Sequence, residues 1–428
     1  MDSTATTPRA NWARNVTFAG PLHQPTSLPE LQALLASPAP LRVLGTGHSF
    51  STVAVEAPGG AQVGVARMPV VRELDTDRRL VRVSAGLRYG DVTPWLDARG
   101  WALHNLGSLP HISVGGACAT GTHGSGDGLG VLATAVRAMR LVVPGGDVVE
   151  LSAEGSGPGC GDDFAGAVVS LGSLGVVTEL TLAVEPAYEI VQTVFDDLPF
   201  DALTEHFDDV MSAAYSVSLF HDWGGDLVSS VWLKERVDPG TTWEPRSDVF
   251  GARRCTTPQN PVRGQPAEHV TEQGVPGPWN TRLPHFRLEF TPSAGDELQS
   301  EYLVPRPHAV GALTSLRQIE RDIAAALIVT EVRSIAADDL WLSGAYGTEA
   351  IAIHFTWRPD PPAVLPLLPR IEERLLPLGG RPHWGKVFDA GPDVVGLRYP
   401  RLDDARRLAA RFDPAGVLAN DFVDTYLR

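Results

Sequence analysis

The chain has 428 residues, 43% of them hydrophobic and 20% charged, with a formal net charge of −16. That size and composition fit a globular protein of two or three domains, or one large two-domain enzyme, and the negative charge excludes a surface built to hold a nucleic-acid backbone or an anionic membrane. No run of about 18 apolar residues offers a transmembrane helix, and the opening stretch, MDSTATTPRANWARNVTF, lacks the apolar core of a secretion signal. Cys118, Cys160 and Cys255 cannot all pair and lack the spacing of a zinc site, so a reducing cytoplasm is the expected setting. Of 35 basic residues only Lys234 and Lys386 are lysines, so a lysine in this chain carries some information.

In chain order, LRVLG reads as a buried strand running into Gly45-Thr46-Gly47 and then His48, a place where backbone comes close to something. RLVRVSAG alternates apolar and polar residues and reads as a half-buried strand. YGDVTPWLDARG reads as a helix with Asp91 as N-cap and Gly100 as its stop. A glycine-rich loop over 107–130 follows, and then VLATAVRAMRLVVPGGDVVEL, a strand pair turning at Gly145-Gly146. VVSLGSLGVVTELTLAVEP closes the region with one more apolar strand.

From about residue 187 the strands lengthen, interrupted by a Pro/Gly-rich insertion over 237–284 that reads as loop and whose position suggests the rim of a substrate entrance. Three later segments alternate. HFRLEF puts Phe286, Leu288 and Phe290 on one face and His285, Arg287 and Glu289 on the other. IVTEVRSI projects Glu331 and Arg333 together, and AIAIHFTW separates His354 and Thr356 from Ile351, Ile353, Phe355 and Trp357. The pattern predicts an antiparallel sheet with an apolar back. Its polar front either faces water or reads several hydroxyl groups, since Glu, Arg, His and Thr supply donors and acceptors together.

The loop NLGSLPHISVGGACATGTHGSG packs small residues and free backbone N–H groups suited to cradling phosphate, while its Ile, Val, Ala and Cys residues demand burial. Neither a G-x-G-x-x-G strand-to-helix turn nor a Walker pattern is present, so any nucleotide binds by another architecture. GTGHSFS, GSLPHISVGGACATGTHGSG, GSLGVVTEL and HWGK, in that order over most of the chain, resemble the vanillyl-alcohol-oxidase superfamily of flavoproteins, first its alditol-oxidising branch and next its sugar-lactone-oxidising branch.

The resemblance implies an α+β protein. A PCMH-type FAD-binding domain of two α/β subdomains spans 1–186, a substrate (cap) domain with an antiparallel sheet flanked by helices spans 187–389, and 390–428 return to the FAD domain. It implies FAD held by Val43, Leu44, Gly45, Thr46, Gly47, His48 and Ser49, by Ser108, Ser113, Gly116, Thr120, Gly121, Thr122 and His123, and by Val176 and Val177. His48 would carry the flavin covalently. Leu109 stands where some relatives place a second attaching cysteine, which leaves one bond and makes Cys118 a packing residue. It assigns substrate contacts to Ser108, Glu331, Arg333, Thr356, Lys386 and, less directly, Gln299, with Arg333, Lys386 and His354 in the catalytic set. Lys386 would be a better proton acceptor than an always-charged arginine. Gly107 would leave room for oxygen. The expected activity is oxidation of a polyol's terminal primary alcohol by a monomer, with O2 as the second substrate and no metal. A γ-lactone oxidase is the nearest rival. A zinc hydrolase using His111 and His123 suffers from poor ligand spacing, and a non-catalytic sugar-binding protein would be colourless.

Overall fold

The computed structural model describes residues 9–238, 243–290 and 295–428. A small parallel sheet orders Leu22–His23, Ala61–Val63 and Leu41–Val43 side by side. The Leu28–Leu35 helix makes the crossover, started by Ser27, whose side chain accepts from the Glu30 N–H. A second, antiparallel sheet orders Val148–Ser152, Val136–Val142, Val176–Ala183, Leu80–Ser84 and Arg72–Asp75. Its hairpin turns at Gly145 and Gly146, with φ of 99° and 88°, which side chains with a Cβ rarely adopt.

The largest sheet is antiparallel, and its central order is Glu189–Pro199, Leu227–Val237, Ser216–His221, Leu327–Ile335, Ala350–Trp357 and Leu298–Pro305. Ile351, Ile353, Phe355 and Trp357 all point to one core, where they meet the 309–317 and 320–326 helices through Leu313, Leu316 and Ile323. The period-2 alternation predicted this back face correctly. It also places His354 directly opposite Glu331 on one neighbouring strand and opposite Glu301 on the other. Gln299 and Thr356 form the adjacent pair.

Three local expectations are corrected. HFRLEF is not a strand: only Phe286 makes a bridge, to Val270, and it is His285 that is buried while Leu288 is exposed. Asp91 is not the N-cap of its helix, which begins at Tyr89 after Arg88. Asp91 sits in the first turn and accepts from the Arg88 N–H at 3.1 Å. The glycine-rich stretch is not all loop, because Val114–Ala119 forms a short helix. The 237–284 insertion is mostly irregular, apart from two-residue strands at Arg253–Arg254 and Gly277–Pro278 and a short helix at Trp279–Arg282; its residues 239–242 lie outside the described residues.

The final helices fold back onto the first sheet. Leu41 N–H donates to the Val417 carbonyl at 2.7 Å, and Asn420 Nδ2 donates to Val55 O at 2.7 Å. Arg42 is the rivet. It is buried, and its guanidinium donates to Val53 O at 2.7 Å, Gly172 O at 3.0 Å, Leu418 O at 2.9 Å and also Leu171 O. Burial pushes it down to about 10, against the pull of Asp413. Replacing it with methionine strands four carbonyls, each worth on the order of 1 kcal/mol. Arg42→Met should therefore lower stability by about 3 kcal/mol, seen as an earlier urea midpoint; an unchanged midpoint would remove the rivet.

Candidate active site

A single cavity of about 740 Å³ runs from the glycine turn of the first sheet to the polar front of the large sheet. One end is a backbone cradle. Among the described residues, the N–H groups of Gly45, Thr46, Gly47, His48 and Ser49 donate to no protein group, while the flanking Leu44 and Phe50 N–H groups are taken by Val63 O and Gly385 O. Gly47 has φ of 73°, and a Cβ at Gly45 would sit 2.6 Å from Ser113 Oγ, so the second loop packs directly on the first. Five successive unpaired donors suit a pyrophosphate.

His48 closes the turn. Its ring stacks on Trp12 with centroids 4.7 Å apart, its Nδ1 lies 3.0 Å from Thr46 Oγ1, and its Nε2 is buried with no partner among the described residues. Burial, helped by His111 and Lys386, pushes it down to about 4. The imidazole is therefore neutral near pH 7 and keeps a nucleophilic lone pair. An orphaned ring nitrogen beside an anion cradle fits a flavin nucleotide, and FAD is the group whose size and charge this end of the cavity suits. Cys118 offers no second attachment: burial pushes its thiol up to about 12, and Sγ sits 3.8 Å from Tyr89 OH.

The other end holds the charges. Arg333 Nη2 donates to Ser108 Oγ at 2.5 Å and pairs with Glu331 on its own strand. Glu331 also meets His285 Nε2 at 2.7 Å. Burial alone would raise the Glu331 carboxyl, but Arg333 and His285 hold it well below the usual range. Lys386 donates to Gln299, which in turn donates to Glu297. Burial lowers Lys386 from its ordinary value while Glu301 and Glu297 pull the other way. His354 Nδ1 lies 2.9 Å from Glu301 Oε2 and its Nε2 3.2 Å from Thr356 Oγ1. The motifs from the two ends of the chain are joined here: Phe50 N–H donates to Gly385 O and Ser51 Oγ to Trp384 O, both at 2.7 Å.

Ser108, Glu331, Arg333, His354, Thr356, Lys386 and Gln299 thus line one cavity with Val43, Leu44, Gly45, Thr46, Gly47, His48, Ser49, Ser113, Gly116, Thr120, Thr122, His123 and Val177. Two expected cofactor residues are not among its lining side chains. Val176 turns into the apolar core with Leu31 and Leu41, and Gly121 shapes the chain behind the loop with φ of 69°. The 237–284 insertion reaches the cavity through Asn260, Gln265, Glu268 and His269.

Sequence reasoning missed Glu301, His383 and Trp12, and it singled out Lys234 without giving it a role. Glu301 is two residues from Gln299 on one strand, so alternation could have found it. His383 begins the HWGK motif. Lys234 donates to the carbonyls of Leu283 and Pro284, fixing the bend that delivers His285 to Glu331. Nothing in the sequence marks Trp12.

The FAD binding domain family matches residues 22–152, and the D-arabinono-1,4-lactone oxidase family matches residues 296–426. Cradle, neutral histidine and family match together define an FAD-dependent flavoprotein. The chain is 46% identical to an alditol oxidase from a Streptomyces species, covering 98% of both chains. It is 26% identical to L-gulonolactone oxidase of Mus musculus, covering 97% of both. In three dimensions it is similar to cholesterol oxidase from B. sterolicum, with a TM-score of 0.78 at 13% identity, over 98% of this chain and 96% of that one. This chain belongs to the alditol oxidase family of flavoproteins. No helix among the described residues is long and apolar enough to cross a membrane.

Burial pushes His104, His221 and His285 down to about 4 and His383 to about 3. In the unfolded chain they return to about 6.5. Between pH 6.5 and 4 the unfolded chain binds protons that the folded chain refuses, so stability falls as pH drops through that window and is fully present above it. Thermal midpoints should fall steeply from pH 6.5 to 4. His221→Leu, which lies outside the cavity, should make the fall shallower; equal slopes for both proteins would contradict this.

Proposed function

We propose that the enzyme oxidises the terminal primary alcohol of alditols of the xylitol and sorbitol type to the aldose, passing the electrons to O2 to give hydrogen peroxide. The observation that carries this reading is the buried row of paired charges and hydroxyls facing the same cavity as the glycine cradle. Such a row offers donors and acceptors to several adjacent hydroxyls at once, and it would reject deoxy analogues because its own groups would be left unpaired. FAD, held covalently through His48, would supply the electron-accepting chemistry that links alcohol oxidation to oxygen.

The chain's own residues have separable tasks. His48, neutral and stacked on Trp12, carries the covalent bond to the cofactor. The 45–49 N–H groups with Ser113, Gly116, Thr120 and Thr122 hold its phosphates. Arg333 and Lys386 meet the reacting oxygen and stabilise negative charge as the O–H bond breaks. Glu331, Thr356, Ser108 and Gln299 hold the remaining hydroxyls. A Cβ at Gly107 would meet nothing closer than 3.7 Å, so its bareness keeps cavity space open for oxygen. The same reading has the enzyme acting as a cytoplasmic monomer with its three buried thiols reduced.

A γ-lactone oxidase is the second reading, favoured by the lactone-oxidase family match over 296–426. On denaturing gels the band should fluoresce under ultraviolet light, and His48→Ala should lose that fluorescence. The native enzyme should release peroxide with xylitol or sorbitol far faster than with a γ-lactone; the reverse preference selects the lactone reading, and a dark band removes the tether. Lys386→Met should slow flavin reduction by about a hundredfold or more, as loss of a few kcal/mol of transition-state stabilisation requires. Unchanged stopped-flow traces would take Lys386 out of the mechanism.

A further inference from the structure

Glu301 lines the cavity between two histidines. Its carboxylate is buried, with Oε1 2.5 Å from His123 Nε2 and Oε2 2.9 Å from His354 Nδ1. His123 Nδ1 lies 2.8 Å from the Gly124 carbonyl. A carbonyl oxygen only accepts, so Nδ1 of His123 must carry a proton. The 2.5 Å contact on the other side of that ring needs a proton too. A neutral imidazole and a carboxylate have one proton between them, whereas this geometry requires two. The His123–Glu301 unit therefore holds one extra proton, either as imidazolium and carboxylate or as imidazole and carboxylic acid.

That count fixes the next residue. With Oε1 engaged by His123, Oε2 is an acceptor, so His354 donates from Nδ1. Its Nε2 then bears a lone pair, 3.2 Å from Thr356 Oγ1 and facing the cavity. His383, Nδ1 of which accepts from the Gly385 N–H at 3.0 Å, carries its proton on Nε2. Donor atoms of His123, Glu301 and His383 come within 4.8 Å of one another, but a proton already lies on the side of the His123 ring that meets Glu301. Lys386 is a donor to Gln299. Among these groups, the lone pair free to receive a proton belongs to His354.

We propose that Glu301, backed by His123, is a positioning residue that fixes the tautomer of His354, and that His354 Nε2 takes the hydroxyl proton of the alcohol. The inference rests on the alditol-oxidation reading and adds the proton acceptor to it. The carbinol O–H bond breaks as an N–H bond forms at His354, while the carbinol C–H pair leaves as hydride for the bound flavin. The Glu301 carboxylate offsets the new imidazolium, which Lys386 and Arg333 nearby would otherwise disfavour. In the second half-reaction O2 takes up the two electrons, the hydride-derived proton and the proton held by His354, which balances to one H2O2. Glu297, Glu331 and His383 are the other titratable groups facing this cluster.

Two measurements decide it. Holoenzyme carrying ¹⁵N-histidine should show His354, assigned by its loss in His354→Gln, protonated at Nδ1, and His123 either protonated at both nitrogens or sharing its Nε2 proton. A His354 protonated at Nε2 overturns the proposal, and this arm needs neither turnover nor a variant of Glu301. Glu301→Gln can donate its NH2 to His123 Nε2 and accept from His354 Nδ1 with its carbonyl, so it keeps the tautomer and removes the negative charge that offsets the new imidazolium. It should slow anaerobic flavin reduction by xylitol about a hundredfold or more, move the ionisation of His354 in the pH profile of that rate to lower pH, and leave acid-stable flavin content unchanged. Glu301→Asp, which keeps the charge, should recover part of the rate and of the shifted ionisation. Wild-type rate and pH profile in Glu301→Gln overturn the proposal. If the native enzyme is not reduced by any alditol, the functional reading fails instead, and the tautomer of His354 still stands or falls by the spectrum.

Discussion

The ion pair between Arg333 and Glu331 is the contact on which the site depends. An isolated buried guanidinium would cost several kcal/mol, and here it is made tolerable by a carboxylate two residues away on the same strand. That carboxylate is in turn bonded to His285, and the guanidinium reaches across to Ser108 in the glycine-rich loop. One charge pair thus does three things. It spans from the large sheet to the cofactor end, it meets His285 in the 283–285 bend clamped by Lys234, and it leaves a face that offers hydrogen-bond donors and acceptors together. Antiparallel register extends the arrangement sideways, since Glu331, His354 and Glu301 stand opposite one another on three consecutive strands.

The cofactor end follows a different logic. There the protein withholds partners instead of supplying them: among the described residues, five backbone N–H groups and one ring nitrogen of His48 are left unpaired around a turn whose left-handed backbone at position 47 favours glycine. Gly45 and Thr46 are exposed and Gly47, His48 and Ser49 half-buried, so water reaches this turn and a ligand's phosphate oxygens would take the place of that water. Arg42, bonded to four carbonyls directly behind the turn, holds the strand, the 171–172 loop and the C-terminal segment together while those donors wait. The bonds from Phe50 and Ser51 to Gly385 and Trp384 then bring Lys386 over the same floor.

Much of this was legible in the sequence because strand alternation is a strict period. Glu331 with Arg333, and His354 with Thr356, could be assigned to one face from spacing alone, and the apolar back formed by Ile351, Ile353, Phe355 and Trp357 followed with them. The Gly-Thr-Gly-His turn announced itself because close backbone approach needs glycine. HFRLEF misled for an instructive reason. Its alternation is real, but Pro284 and the Lys234 clamp bend the chain, so His285 is buried against Glu331, to which it is hydrogen-bonded, and not by a pleat. Asp91 serves its helix from within the first turn, a shift of three residues that local sequence does not distinguish from a cap. His285, His123 and Glu301 act through partners 46 to 178 residues away, and no local pattern encodes such pairing.

The account is tested most directly by anaerobic titration of the purified yellow enzyme with xylitol. It predicts that about one equivalent of alditol per chain bleaches the visible flavin absorbance, and that admitting oxygen restores the colour with one equivalent of peroxide. Flavin that stays oxidised under excess alditol, or that is bleached only by a sugar lactone, would contradict it.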